Sequence, residues 1–423
     1  MDIAVIVLFA TLVVFLVLGF HIGIAMSVAV LAALWVGDLP YLLFTQRLYN
    51  SFDSFPLLAV PYFVMAGEIM QRGSMSESLI NLSRTLVGHT TGALSQISIL
   101  TSMFYGALCG SAPATTAAVG GMMIPAMEKD GYPKAFASAV NACSGCLGLL
   151  IPPSVTLIIY GSIAGISISD LFIAVIVPGV LCGIALMITS YIICRMRDFG
   201  HPSPKASWKE RGRALWEAKW SLMVPVIVLG GIYGGITTAT EAGAVAVIYS
   251  LLVECFINKT MTIRKFREIC HSSAVVIGAI FFVVVAANGL GTVLIYYNTQ
   301  NVIAEFVQHI MINQQIMMIF LIVLLLILGT FMETVACVLI LVPMLLPSYT
   351  AMGVSPIVFG IVLTFGLTLG LITPPVGMNL FVACGISKVS FSKLSVAALP
   401  FLGTCIVVLF VVGLVPWLSL CLL

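Results

Sequence analysis

The chain has 423 residues, 61% of them hydrophobic and 8% charged, and its mean hydropathy is +1.17. No water-soluble fold can hide that much apolar surface, so lipid is the solvent for most of the chain, and the formal net charge of +2 carries no nucleic-acid signal. The apolar segments have helical length and carry Gly and Pro rather than short alternating strands, which predicts an all-α polytopic membrane protein and not an outer-membrane barrel.

Residues 3–20 predict a first span that is not a cleaved signal peptide, because Asp2 stands where a basic n-region would be. Spans follow at roughly 22–37 and 54–70. Residues 95–125 are apolar but interrupted by GALCGSAPATTAAVGG at 106–121, a run of small and hydroxyl residues expected at the tip of a re-entrant hairpin. The next apolar segment, 134–164, is broken by Pro152 and Pro153, and 171–194 forms a further span. In the connector that follows, Trp208, Leu215, Trp216 and Trp220 recur at helical spacing beside Lys and Arg. That pattern fits a helix on the inner interface or a solvated connector. Beyond it, LGTFMETVACVLILVP at 328–343 is a second interrupted stretch, and GLITPPVGMNLFVACG at 370–385 repeats the double proline of GLLIPPSVTLIIYG at 148–161.

The repetition is systematic. Shifted by 222, Gly148, Pro152 and Pro153 fall on Gly370, Pro374 and Pro375, while Pro125 falls on Pro347, Gly131 on Gly353 and Pro178 on Pro400. SISDL at 167–171 answers SFSKL at 390–394 with one residue of slip. Residues 1–195 and 221–423 are thus expected to be two repeats joined by a cytoplasmic or interfacial connector at 196–220. With the N-terminus placed outside, only Arg47 of the 18 Lys and Arg residues falls outside, a bias that predicts both termini on the outer face. The first copy then enters the membrane from outside and the second from inside, so the repeats have inverted topology. Inverted repeats with broken helices point to a secondary transporter whose site lies near the midplane at the breaks.

Proline has no N–H, so Pro152 and Pro153 free the carbonyls of Gly148 and Leu149, and Pro374 and Pro375 free those of Gly370 and Leu371. Free carbonyls are tolerated in lipid where they line a cavity or coordinate an ion. Under the 222 shift Gly110 and Ser111 face Met332 and Glu333, and hydroxyls, carbonyls and a carboxylate are hard oxygen ligands suited to Na⁺ and to binding an anion. Small residues also let helices pack closely. A carboxylate at mid-bilayer is costly, which makes Glu333 a cation ligand or a polar contact for a substrate hydroxyl or amine. Glu68 and Glu241 read as capping or scaffold residues, the five His as interfacial, and the 11 Cys as small buried hydrophobes. There is no HExxH, no GxxxxGK[ST] and no nucleophile with a His partner at its depth, so no enzyme is expected.

AVPYFVMAGEIMQRGSMSESLI (59–80), LVGHTTGAL (86–94), GSAPATTAAVGG (110–121), LGLLIPPSV (147–155), SISDLFIAVIVPG (167–179), GGITTATEAGAVAVIY (234–249) and GLITPPVGMNLFVACGIS (370–387) together resemble the large membrane subunit of the tripartite ATP-independent periplasmic (TRAP) transporters over almost the whole chain. The resemblance implies an elevator-type carrier of the bacterial cytoplasmic (inner) membrane with periplasmic termini. Its scaffold would comprise roughly 1–94, 166–312 and 389–423, and its transport domain 95–165 and 313–388. It also implies Na⁺ as coupling ion with no organic cofactor, a periplasmic binding protein that delivers a small organic anion, and a small four-helix membrane subunit as partner. By resemblance one Na⁺ would sit at Cys109, Gly110, Ser111, Gly148, Ile151 and Pro153, and a second at Gly329, Met332, Glu333, Gly370, Thr373 and Met378. Substrate would lie between them against Ser111, Ser154, Thr156 and Glu333. The family pattern would have a hydroxyl residue where Cys109 stands and an aspartate where Glu333 stands. A C4-dicarboxylate, sialic acid, another sugar acid or a sulfonate all remain open as cargo, and the rival readings are a binding-protein-independent dicarboxylate/Na⁺ carrier and a channel.

Overall fold

The computed structural model describes residues 2–50, 54–200, 204–297, 299 and 313–423; the Arg47 side chain, His201 and His309 lie outside the described set. The first half contains α1 (Ile3–Val17), α2 (Ile22–Val36), α3 (Tyr41–Asn50), a 3₁₀ turn (Phe55–Leu58), α4 (Ala59–Arg72), α5 (Met75–Val87), α6 (Ala93–Cys109) and α7 (Ala112–Lys129). It continues with α8 (Lys134–Gly145), α9 (Leu147–Leu150), α10 (Val155–Ala164), α11 (Ile168–Ala174) and α12 (Ile176–Arg197). The second half contains α13 (Trp208–Tyr233), α14 (Ala239–Leu252), a π turn (Val253–Ile257), α15 (Ile263–Tyr296), α16 (Gln314–Gly329) and α17 (Thr334–Ala351). It closes with α18 (Pro356–Gly370), α19 (Met378–Ser387), α20 (Phe391–Leu414) and α21 (Trp417–Leu420), and no strand occurs among the described residues.

The elements follow the sequence offset. α7 and α17 start and end 222 residues apart, and the double prolines separate α9 from α10 and α18 from α19. α10 packs on α17 and α19 packs on α7, so the helix after each break rests on the second hairpin arm of the other half. Cys146 Sγ donates to the Thr368 carbonyl at 3.5 Å, a contact between positions 222 apart. The halves are not equivalent in detail. With its amide oriented to satisfy both ends, Asn141 donates to the Thr116 carbonyl (2.9 Å) and accepts from the Gly120 N–H (3.0 Å), taking over one rung of the α7 ladder. Gly120 leaves room for this, since a Cβ there would strike the Asn141 amide. The counterparts Leu363, Val338 and Val342 are apolar and pack instead.

Two sequence expectations change. α13 runs without interruption from Trp208 to Tyr233, so the aromatic-basic stretch is the opening of a helix long and apolar enough to span, not a separate connector ending at 220. Lys219 Nζ lies 3.4 Å from the Trp216 ring centroid, a cation–π pair that lets both side chains lie along the same helix face. The predicted 54–70 span is a 3₁₀ turn running into α4, which continues to Arg72. Glu241 does cap: it forms a capping box with Thr238 at the start of α14.

Glu254, fully buried in the π turn, accepts the N–H groups of Ser74 (3.0 Å) and Met75 (3.2 Å) and the Thr260 hydroxyl. It thereby caps α5 from across the fold, a task the Ser74 side chain does not perform. Glu254→Ala would orphan all three donors, of which the Met75 N–H is buried and the other two are half-buried, and a buried unsatisfied donor costs about 1–3 kcal/mol. A large fall in Tm is expected for the purified protein, with Glu254→Gln intermediate because it keeps one acceptor oxygen; an unchanged Tm in Glu254→Ala would refute the cap.

Candidate functional site

Each hairpin tip meets a break. α6 ends at Gly110, whose left-handed φ of 61° lets the chain reverse into α7. A Cβ on Gly110 would lie 2.6 Å from the Pro153 carbonyl oxygen, and one on Gly148 would lie 2.6 Å from that of Ser111, so both contacts require glycine. The carbonyls of Gly148 and Leu149 accept no hydrogen bond among the described residues, as the prolines dictate. At the second tip the Gly329 and Gly370 backbones are in direct contact, and a Cβ on Gly329 would lie 3.1 Å from the Gly370 Cα.

The second break departs from expectation. The Gly370 carbonyl accepts the Thr373 N–H (3.1 Å) and the Leu371 carbonyl accepts the Asn379 N–H (3.0 Å), so neither is free. Gly377, at φ 60°, turns the chain back and so brings the Asn379 N–H to the Leu371 carbonyl. A carbonyl has a second lone pair, so Gly370 retains acceptor capacity. Thr373 Oγ1 donates to the Leu369 carbonyl (2.7 Å) and likewise keeps its own lone pairs.

A cavity of about 1080 Å³ separates the tips from a facing wall of α1, α2, α4 and α15. Of the sequence-predicted residues, Cys109, Gly110, Ser111, Thr156, Met332, Glu333 and Met378 line it. Gly148, Ile151, Pro153, Ser154, Gly329, Gly370 and Thr373 are not on its surface and stand behind the tips, in or beside the tip-break contacts. Ser154, expected to touch substrate, is fully buried, and its hydroxyl has no partner among the described residues. Glu333 is the N-cap of α17, where Oε2 accepts the Ala336 N–H at 3.3 Å. The Ser111 hydroxyl makes no capping bond to α7.

Four helices, α7, α10, α17 and α19, begin at the tips and breaks, and residues of each first turn line the cavity. α6, α9, α16 and α18 end at the same places. Helix N-termini carry partial positive charge and C-termini partial negative charge, so one end of this arrangement suits an anion and the other a cation. No Lys or Arg lines the cavity among the described residues.

His21, Glu68 and Gln71 also line the cavity, on the wall opposite the tips. The sequence pattern places His21 at an interface, gives Glu68 a capping or scaffold role and gives Gln71 none. The available signal was weak: three polar side chains at the ends of apolar spans, with nothing local to say what they face. Glu68 also pairs with Arg72 at 3.0 Å.

Broken helices around a mainly apolar cavity that a few polar side chains enter, in an apolar helical bundle, define a multi-pass membrane transport protein. The fold resembles that of the Alcanivorax borkumensis YdaH transporter, with a TM-score of 0.63 at 17% identity, covering 90% of this chain and 88% of that one. Residues 9–418 match the family described as tripartite ATP-independent periplasmic transporter, DctM component. The chain belongs to that family and is a large permease of it. It is 40% identical to the isethionate TRAP transporter permease protein DctMQ of Oleidesulfovibrio alaskensis, over 97% of this chain and 65% of that longer protein. Identity is 36% to the sialic acid TRAP transporter large permease SiaM of Vibrio cholerae, over 89% of this chain and 88% of the relative. It is also 36% to the C4-dicarboxylate TRAP transporter large permease DctM of the same organism, over 98% and 96%.

Proposed function

We propose that the chain is the Na⁺-coupled carrier subunit for a small organic acid delivered by a periplasmic binding protein, working by an elevator stroke beside a small membrane subunit. The observation that carries this reading is the convergence of four helix N-termini on a cavity without Lys or Arg among the described residues, with helix C-termini at the adjoining tip-break contacts. The N-termini bind the anion, and the carbonyl ends bind Na⁺. The Na⁺ sites are Cys109 to Ser111 with Gly148, Ile151 and Pro153, and Gly329, Met332 and Glu333 with Gly370, Thr373 and Met378; Ser111, Thr156 and Glu333 face the cargo. Residues 95–165 and 313–388 move as one inverted pair against a scaffold of 1–94, 166–312 and 389–423, with both termini in the periplasm. Cargo belongs to the class that the relatives' names span, which runs from a sulfonate through a dicarboxylate to a sugar acid.

The test needs no cargo. A ligand that binds only the folded state stabilises it, by about 2.7 kcal/mol at 100 times its Kd. Tm of the chain purified with its small partner is expected to rise with Na⁺ and not with K⁺ or choline, and Thr373→Val is expected to weaken the rise. Equal response to all three cations would leave the breaks as hinges and would bring proton coupling or passive conduction forward.

A further inference from the structure

His21 caps α2: its Nδ1 accepts the Gly23 N–H at 3.3 Å. While Nδ1 accepts this bond it carries no hydrogen, which leaves Nε2 as the ring's donor. The ring lines the cavity, as does Gln71 near the end of α4. α2 and α4 both pack on α15, so these two residues stand on one body, while Ser111 and Glu333 stand on the hairpin tips across the cavity.

The charges beside them identify the end of the cavity they occupy. Arg72, next after Gln71, pairs with Glu68 at 3.0 Å and reaches Glu268 of α15 at 3.7 Å, and Arg264 pairs with Glu268 at 3.2 Å. Lys259, Lys265 and Arg267 lie within the same short stretch of chain. A concentration of basic residues of this kind marks the cytoplasmic face.

We propose that His21 and Gln71 form a fixed-wall contact for the anionic oxygens of the cargo, a carboxylate or sulfonate, used when the hairpin tips stand opposite the α1–α2 turn at the cytoplasmic end of the stroke. This rests on the anion-carrier reading above. Neutral donors fit that position physically. A charge-assisted bond from Lys or Arg is about twice as strong and would retain an anion where it has to leave. The Nε2–H and the Gln71 amide orient the departing anion without trapping it.

The test uses thiol reagents as probes, so it does not depend on knowing the cargo. Val276 of α15 lines the same cavity and is 40% exposed. In the chain with its small partner, Val276→Cys is labelled in inside-out and in right-side-out vesicles with the sulfonate reagent MTSES and the cationic reagent MTSET, against the background of the native thiols. Labelling is expected from the cytoplasmic face. Adding His21→Asn, which keeps an acceptor to cap Gly23, or Gln71→Leu, should lower the MTSES-to-MTSET rate ratio about three-fold. An unchanged ratio, labelling only from the periplasmic face, or no labelling overturns the proposal. Failure of the anion-carrier reading would show separately, as loss of Na⁺-selective stabilisation with the labelling ratio still responsive to His21.

Discussion

Gly370→Ala is expected to abolish the Na⁺ response and to lower Tm sharply. A Cβ at this position would fall inside the van der Waals envelope of the Gly329 backbone, and backbone held by two helices cannot rotate aside as a long side chain does. Forcing an extra methyl group into a packed core costs about 1–3 kcal/mol, and the backbone-on-backbone contact puts this substitution at the upper end. Gly148→Ala meets the Ser111 oxygen and carbon at 2.6 and 3.0 Å and should act alike at the first break. Gly385→Ala is the control: it lies in α19, its Cβ would meet nothing within 4 Å, and alanine favours a helix by roughly 0.5–1 kcal/mol. Thermal unfolding with and without Na⁺ decides the matter, and a Gly370→Ala protein that kept both Tm and the cation response would remove the close tip-break contact from the account.

The breaks were legible in the sequence because their cause is covalent. Proline lacks an N–H wherever it stands, and its recurrence at a 222-residue offset needs no tertiary information. Hairpin tips were legible for a related reason: the small and hydroxyl residues of 106–121 do not fit the middle of a lipid-facing helix. What escaped was assembled across the fold. His21, Gln71 and Glu68 matter because α2 and α4 are brought opposite the tips, and no local pattern states that. Glu254 meets Ser74 from 180 residues away. The Gly370 and Leu371 carbonyls are expected to be free because proline removes their helical donors, but a tight turn brings the Thr373 N–H to Gly370 and the reversal at Gly377 brings the Asn379 N–H to Leu371. The family resemblance implies Ser154 as a substrate contact, whereas the chain beyond the break carries it into the packed interior, off the cavity surface.

Ser111→Ala combined with Glu333→Ala is expected to abolish uptake while leaving a folded protein. Both residues line the cavity at the two tips, and both sit at helix starts, α7 and α17. Their structural duties differ from their proposed functional ones, which makes the experiment interpretable. Ser111 makes no side-chain cap, so its loss removes only a hydroxyl. Glu333 does cap α17 through Ala336, and losing such a cap costs about 1 kcal/mol, too little to unfold a bundle of this size. Glu333→Gln then separates the two duties, since it retains a cap acceptor and discards the charge. Uptake is measured in proteoliposomes holding the chain and its small partner, with a binding protein and, in turn, isethionate, a C4-dicarboxylate and sialic acid. If Glu333 serves as a cation ligand, Glu333→Gln transports poorly even though its Tm is preserved without Na⁺, and its Na⁺ response is reduced. If Glu333 only caps the helix, Glu333→Gln transports normally. Unimpaired uptake by the double alanine variant would move the site away from the tips altogether, and the convergence of helix N-termini would then be a consequence of the repeat and not of the cargo.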